Sequence, residues 1–142
     1  MTPDPYNLER FVSAQNDGGT YERAVEELRR GQKTSHWMWF VFPQIAGLGQ
    51  SSTSRFFAIS SLDEARAYLG HQVLGPRLLE VARIVAETDG RTAEQIFGSI
   101  DAQKLRSSMT LFQRAEPNEP VFAKVLERYF DGVADAATDA RI

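Results

Sequence analysis

His36-Trp37-Met38-Trp39-Phe40-Val41-Phe42-Pro43-Gln44 is the stretch whose reading decides between an all-helical and a mixed fold, and it holds both tryptophans of the chain. Apolar groups stand at odd and even positions alike, so an extended run here has no side for water and must be covered on both faces. Pro43 closes it far short of the roughly 20 residues a membrane-spanning helix needs. It sits inside an interval from Lys33 to Ser54 that shows no helical period, and about 20 such residues inside a helical domain read as one long aromatic loop held against the bundle.

Outward from this interval the period is helical on both sides. Leu8, Phe11 and Val12 share a sector, with Asp4 and Pro5 read as N-cap and first-turn proline, and the pattern stops at Asp17-Gly18-Gly19. Tyr21, Ala24, Val25 and Leu28 form the next stripe, closed by Arg29, Arg30 and Gly31. Downstream, Ser61 to Glu64 has capping-box spacing and opens a short helix ending at Gly70. Gly75-Pro76 starts a longer one carrying Leu74, Leu78, Val81, Ala82 and Val85 on one face. Thr92 to Gln95 repeats the box ahead of Ile96, Phe97 and Gly98, a helix runs from about Asp101 to Ala115, and Phe122, Val125, Leu126, Tyr129 and Phe130 mark the last strong one. These elements predict one compact all-α domain over 1–142, of about seven or eight helices. Residues 133–142, rich in Ala and Asp, are expected to fray or to add one weak helix.

Composition removes several chemistries. The 142 residues contain no Cys, which excludes disulfides, thiolate metal sites and cysteine nucleophiles. Only His36 and His71 supply imidazole, so no metal site and no cofactor is expected. Sixteen basic against nineteen acidic residues give a net charge of -3, which offers no global field for nucleic acid. The start, Met1 to Pro5, has no basic n-region or apolar h-region, so a cytoplasmic location is the expectation, without a membrane partner. Oligomeric state is left open.

Four groups of residues could carry chemistry. The aromatic block threads the core in its bland reading, with Trp39 buried between its neighbours. In the functional one Trp37 and Trp39 wall a pocket for a planar ligand, with His36 and Gln44 as the polar groups at its ends. Gly47-Leu48-Gly49-Gln50-Ser51-Ser52 is either an ordinary turn with an N-cap or a presentation of backbone N–H groups to an anion, which makes Gly47, Gly49 and Ser51 candidates, with Arg55 nearby. On a helical wheel from Asp101, Leu105, Met109 and Phe112 fall at about 40°, 80° and 20°, while Ser108 and Lys104 fall at about 340° and 300° beside that apolar stripe. Asp101 and Lys104 are therefore the candidate catalytic pair and Ser108 a candidate ligand contact. Their bland reading is a boundary salt bridge and a hydroxyl bonded back to a carbonyl. Gln15 lies within the apolar face of the first helix, as a ligand contact or as a tie to the long loop.

At these residues the sequence resembles a family of small bacterial proteins classed as a domain of unknown function, some of which carry the misleading name calpastatin. The likeness runs through Phe11-Val12, Ala14-Gln15, the whole His36 to Gln44 block, Gly47-Leu48-Gly49, Ser51, Ile96-Phe97-Gly98, Asp101, Lys104, Ser107 to Phe112, Asp135 and Thr138. It implies a compact, almost entirely helical fold and supplies no activity. A fainter likeness, carried by Asp101, Lys104, Met109 and Phe112, is to bacterial glycosidases that cleave N-glycosidic bonds of ADP-ribosylated guanosine and riboflavin-pathway intermediates; their tryptophan and glutamate motifs do not map here. The function expected is binding of a small nucleotide-like or other planar anionic metabolite in a cleft beside the aromatic segment. An N-glycosidase acting on an ADP-ribose or nucleotide derivative, and a non-catalytic protein-interaction module, are the alternatives.

Overall fold

Asp4 organises the first helix from further upstream than its sequence position suggests. In the computed structural model, which describes residues 3–142, its carboxylate accepts the N–H groups of Leu8 at 2.8 Å and Glu9 at 3.0 Å. Asn7, at φ 52°, breaks the helical path, so α1 spans Glu9–Asn16 and Pro5 precedes it rather than occupying its first turn. Those backbone N–H donors also hold the Asp4 carboxyl below the usual carboxylate range. A 3-10 turn over Asp17–Gly19, with both glycines at positive φ, leads into α2, Thr20–Arg29.

The interval expected as a loop is built from short pieces instead. Met38–Val41 winds a single turn, α3, closed by Val41 N–H to Trp37 O at 3.1 Å and Phe42 N–H to Met38 O at 3.0 Å. Ile45 then pairs with Ile59 in an isolated parallel bridge, with Ala46 N–H and Ile59 N–H each donating at 2.8 Å to Ile59 O and Gln44 O. Between the two bridge residues lies α4, Ser52–Phe56. The aromatic segment is therefore paired backbone, because buried N–H and C=O groups need partners and local turns supply them.

The remaining helices follow their caps. Ser61 Oγ accepts Glu64 N–H to start α5, Leu62–Gly70, but the return half of the box goes one residue astray, Glu64 accepting Ser60 N–H at 2.9 Å. Gly75 lets α6, Leu74–Glu87, press against the end of α5: a Cβ there would fall 2.1 Å from Leu69 O. Thr92 and Gln95 form a complete box for α7, Ala93–Ala115, which kinks at Gly98 with φ 81° and ψ 163°. That conformation is one only glycine adopts readily. Pro120 opens α8, Pro120–Phe130.

The segment expected to fray or add a weak helix forms a short helix, α9, Ala136–Asp139. Asp135 is buried, and its carboxylate accepts Ser107 Oγ at 3.0 Å, Gln103 Nε2 at 3.1 Å and Thr138 N–H at 3.1 Å. Nine α-helical segments are thus present among the described residues, α3 and α9 being single turns, and there is no strand beyond the isolated bridge. The helix α7 packs against α5, α8 and α9. Phe11, Trp37, Phe42, Tyr68, Phe112 and Phe122 are fully buried in the core, each worth about 1.5–3 kcal/mol of burial. No described helix is long and apolar enough to cross a membrane.

Candidate functional site

The single turn of α3 separates the two tryptophans. Trp37 is wholly buried and belongs to the core, its Nε1 donating to Glu27 Oε1 at 3.0 Å. Trp39 is only partly buried and walls a cavity of about 160 Å³ with Gln44, Gly47, Gly49, Ser54 and Arg55. Its Nε1 is shielded from solvent yet has no hydrogen-bond partner among the described residues. Each cavity glycine has its own reason: a Cβ on Gly49 would lie 2.5 Å from Ser54 Cβ, while Gly47 takes φ 98°, a conformation that residues with a side chain rarely adopt.

A charged cluster lies behind the same indole. Asp101 sits between two ammonium groups, Lys33 Nζ at 2.8 Å and Lys104 Nζ at 3.5 Å. Lys33 is the more buried of the two, its side chain 7% exposed against 21% for Lys104. Each lysine also lies over a tryptophan ring, Lys33 5.0 Å from the Trp37 centroid and Lys104 4.7 Å from that of Trp39. One carboxylate between two cations leaves this corner net positive, and Lys104 carries that charge to the cavity wall through a cation–π contact.

The other sequence candidates lie apart from the cavity. His36 is exposed and does not line it. Ser51 is the N-cap of α4, accepting Ser54 N–H at 3.1 Å. Gln15 is buried as a tie: its amide donates to Phe40 O at 2.8 Å and Tyr68 Oη at 3.2 Å, and accepts from Arg77 Nη1 at 3.1 Å. Ser108 is fully buried and its hydroxyl has no partner among the described residues, whereas the back-bond to a carbonyl is made by its neighbour, Ser107 to Gln103 O at 3.1 Å. Trp39, Gln44, Gly47 and Gly49 therefore converge on one cavity, with Asp101 and Lys104 adjoining through Trp39.

Two residues that the sequence reading passed over hold this arrangement in place. Lys33 has no periodic relation to Asp101, and its backbone N–H donates to Ile96 O at 2.7 Å, which joins the exit of α2 to α7. Glu27 is a buried carboxylate on α2 that accepts Thr34 N–H at 2.7 Å, Ser35 N–H at 2.9 Å and Ser35 Oγ at 2.6 Å besides the Trp37 indole. Burial pushes its carboxyl up, but these four donors outweigh burial and hold its pKa down at about 2.

Fold and site together define a small all-helical domain with an indole-walled cavity backed by a Lys–Asp–Lys cluster. The chain belongs to the family described as protein of unknown function (DUF1810), which residues 5–142 match. It is 51% identical to the conserved hypothetical protein Rv1873 from Mycobacterium tuberculosis, whose crystal structure it resembles with a TM-score of 0.93 over 96% of each chain. No curated protein matches it.

Proposed function

We propose that the chain binds a small planar, anionic metabolite of nucleotide-like character in the Trp39 cavity. One observation carries this reading: the indole that walls the cavity keeps a shielded N–H with no acceptor among the described residues. Buried donors are almost always paired, so a ligand acceptor is the natural complement. The cavity, about 160 Å³, is smaller than the roughly 300–1,000 Å³ of drug-sized sites, so it takes a ring or head group and leaves the rest of a larger metabolite outside. Thermal shift against nucleosides, nucleotides and ADP-ribose tests it, since a ligand at 100 times its Kd adds about 2.7 kcal/mol. Stabilisation by none of these compounds would refute it.

A hydrolytic reading rests on a separate observation. Lys33 holds one oxygen of Asp101 at 2.8 Å, while the other has only a 3.5 Å contact to Lys104 beside Trp39. That oxygen retains capacity to act as a base, as an N-glycosidase requires, on a substrate that reaches Asp101 past the edge of the Trp39 ring. Release of free base from ADP-ribosylated or nucleotide substrates, abolished in Asp101→Asn, is the measurement that supports it. The interaction-module reading needs both indoles buried with no cavity beside them, a condition that Trp37 meets and Trp39 does not.

A further inference from the structure

We infer that Arg55 and Arg141 are the anion-recognising groups at the rim of the Trp39 cavity, and that its ligand carries an oxyanion, phosphate or carboxylate, which both guanidinium groups engage. This deepens the binding reading above and rests on it. Arg55 is the one cation in the cavity wall, beside the neutral polar groups of Gln44 and Ser54, and the indole of Trp39, another wall residue, keeps an N–H without an acceptor among the described residues. Arg141 comes from the far end of the chain, and its Nη1 lies beside Gly47, 2.6 Å from where a Cβ on that residue would stand.

Neither guanidinium is given a hydrogen bond or ion pair by the described residues, and no Asp or Glu lines the cavity. Other arginines are already engaged: Arg10 by Glu64 at 2.8 Å, Arg114 by Asp139 at 2.9 Å, and Arg106 by Val133 O at 2.9 Å. Arg29 and Arg91 are unpaired too, but they border a groove that already contains Glu87 and Asp89. Two guanidiniums without a carboxylate, on a chain of net charge -3, make a local exception to the overall field. The planar fork of arginine matches the paired oxygens of phosphate and carboxylate, which a lone ammonium does not.

The position of Arg141 is built rather than accidental. Its backbone N–H donates to Thr138 O at 3.0 Å, and Thr138 is itself fully buried and bonded to the Asp135 carboxylate that Ser107 also holds. The docked C-terminal segment thereby delivers a cation to a loop that lies about ninety residues earlier in the chain.

The test is a titration of the full chain, labelled with nitrogen-15, with inorganic phosphate at constant ionic strength, following the Arg side-chain and Trp39 indole N–H signals. AMP and adenosine are titrated in parallel. Saturable phosphate shifts at Arg55, Arg141 and Trp39, weakened about tenfold in Arg141→Ala and in Arg55→Ala, are expected, together with AMP binding about tenfold tighter than adenosine. Arg141 is exposed, so its replacement leaves the fold intact, as an unchanged spectrum elsewhere would verify. Equal binding of AMP and adenosine, with both arginines unmoved by phosphate, overturns the anion inference and leaves the cavity reading standing. An unmoved Trp39 indole with all three compounds overturns both. Phosphate shifts that do not saturate and appear equally at Arg29 and Arg91, or that persist in Arg141→Ala, overturn the assignment of the rim.

Discussion

The indole N–H of Trp37 meets a carboxylate, Glu27 Oε1, at 3.0 Å in the interior of the protein. A buried carboxylate is costly unless its lone pairs are used, and the four donors around Glu27 use them. The pair pins the entry of the aromatic segment to α2, so the direction in which Trp39 leaves α3 depends on it. The opposition between a core indole and a cavity indole two residues apart begins here.

This pair gives the protein a defined acid response. The folded-state pKa of Glu27, about 2, lies below its ordinary 4.5. A depressed carboxylate contributes stability that is fully present above the unfolded value and is lost as pH falls through the folded one. Glu27 should therefore supply about 3 kcal/mol above pH 4.5, disappearing towards pH 2. Urea unfolding of wild type and Glu27→Gln at several pH values should show the gap between them close over that window; parallel profiles would remove the carboxylate from the account.

The two tryptophans should differ under the same substitution. Trp37→Ala removes a fully buried indole and should cost about 3–5 kcal/mol. Trp39→Ala cuts into the wall of an existing cavity and should cost markedly less while abolishing ligand binding. Comparison of urea midpoints decides, and equal losses would mean that Trp39 is a core residue.

Much of this architecture is legible in the sequence because it rests on local rules. Gly31, Thr92 with Gln95, and Pro120 fix helix ends through caps that act within one turn. The aromatic segment escaped because its order is tertiary: Phe40 O is held by Gln15, and Ile45 by Ile59. Trp37 and Trp39 are alike in composition, and only the turn of α3 assigns them different surroundings. The site was half visible for the same reason. Asp101 and Lys104 lie together on a helix face that spacing reveals, although the same spacing also pointed to Ser108, which is buried apart from the cavity; Lys33 reaches Asp101 from an interval without period, and Glu27 reads as one more charge on a solvated helix.

Two glycines on neighbouring helices separate steric need from helix propensity. Gly75→Ala would set a methyl 2.1 Å from the Leu69 carbonyl and should destabilise by about 1–3 kcal/mol or more as α5 and α6 move apart. Gly70→Ala meets nothing within 4 Å and has helical backbone, so it should be neutral or stabilise by up to about 1 kcal/mol. Thermal melts of both variants check this, and similar losses in the two would refute the close approach.

The two lysines around Asp101 should separate stability from binding. Lys33 is the shorter and more buried contact, 2.8 Å against 3.5 Å, so Lys33→Met leaves a poorly solvated carboxylate with its weaker partner and should destabilise by about 1–3 kcal/mol. Lys104→Met leaves Asp101 still paired with Lys33, and the loss in stability should stay below about 1 kcal/mol. What Lys104→Met does remove is the cation 4.7 Å over the Trp39 ring, and with it part of the positive potential at the cavity wall. AMP affinity should therefore fall in Lys104→Met while its melting curve stays near that of the wild type, and a double-mutant cycle with Asp101→Asn should assign the larger coupling to Lys33. An unchanged AMP affinity in Lys104→Met would leave the cavity its ligand but take this lysine out of the site.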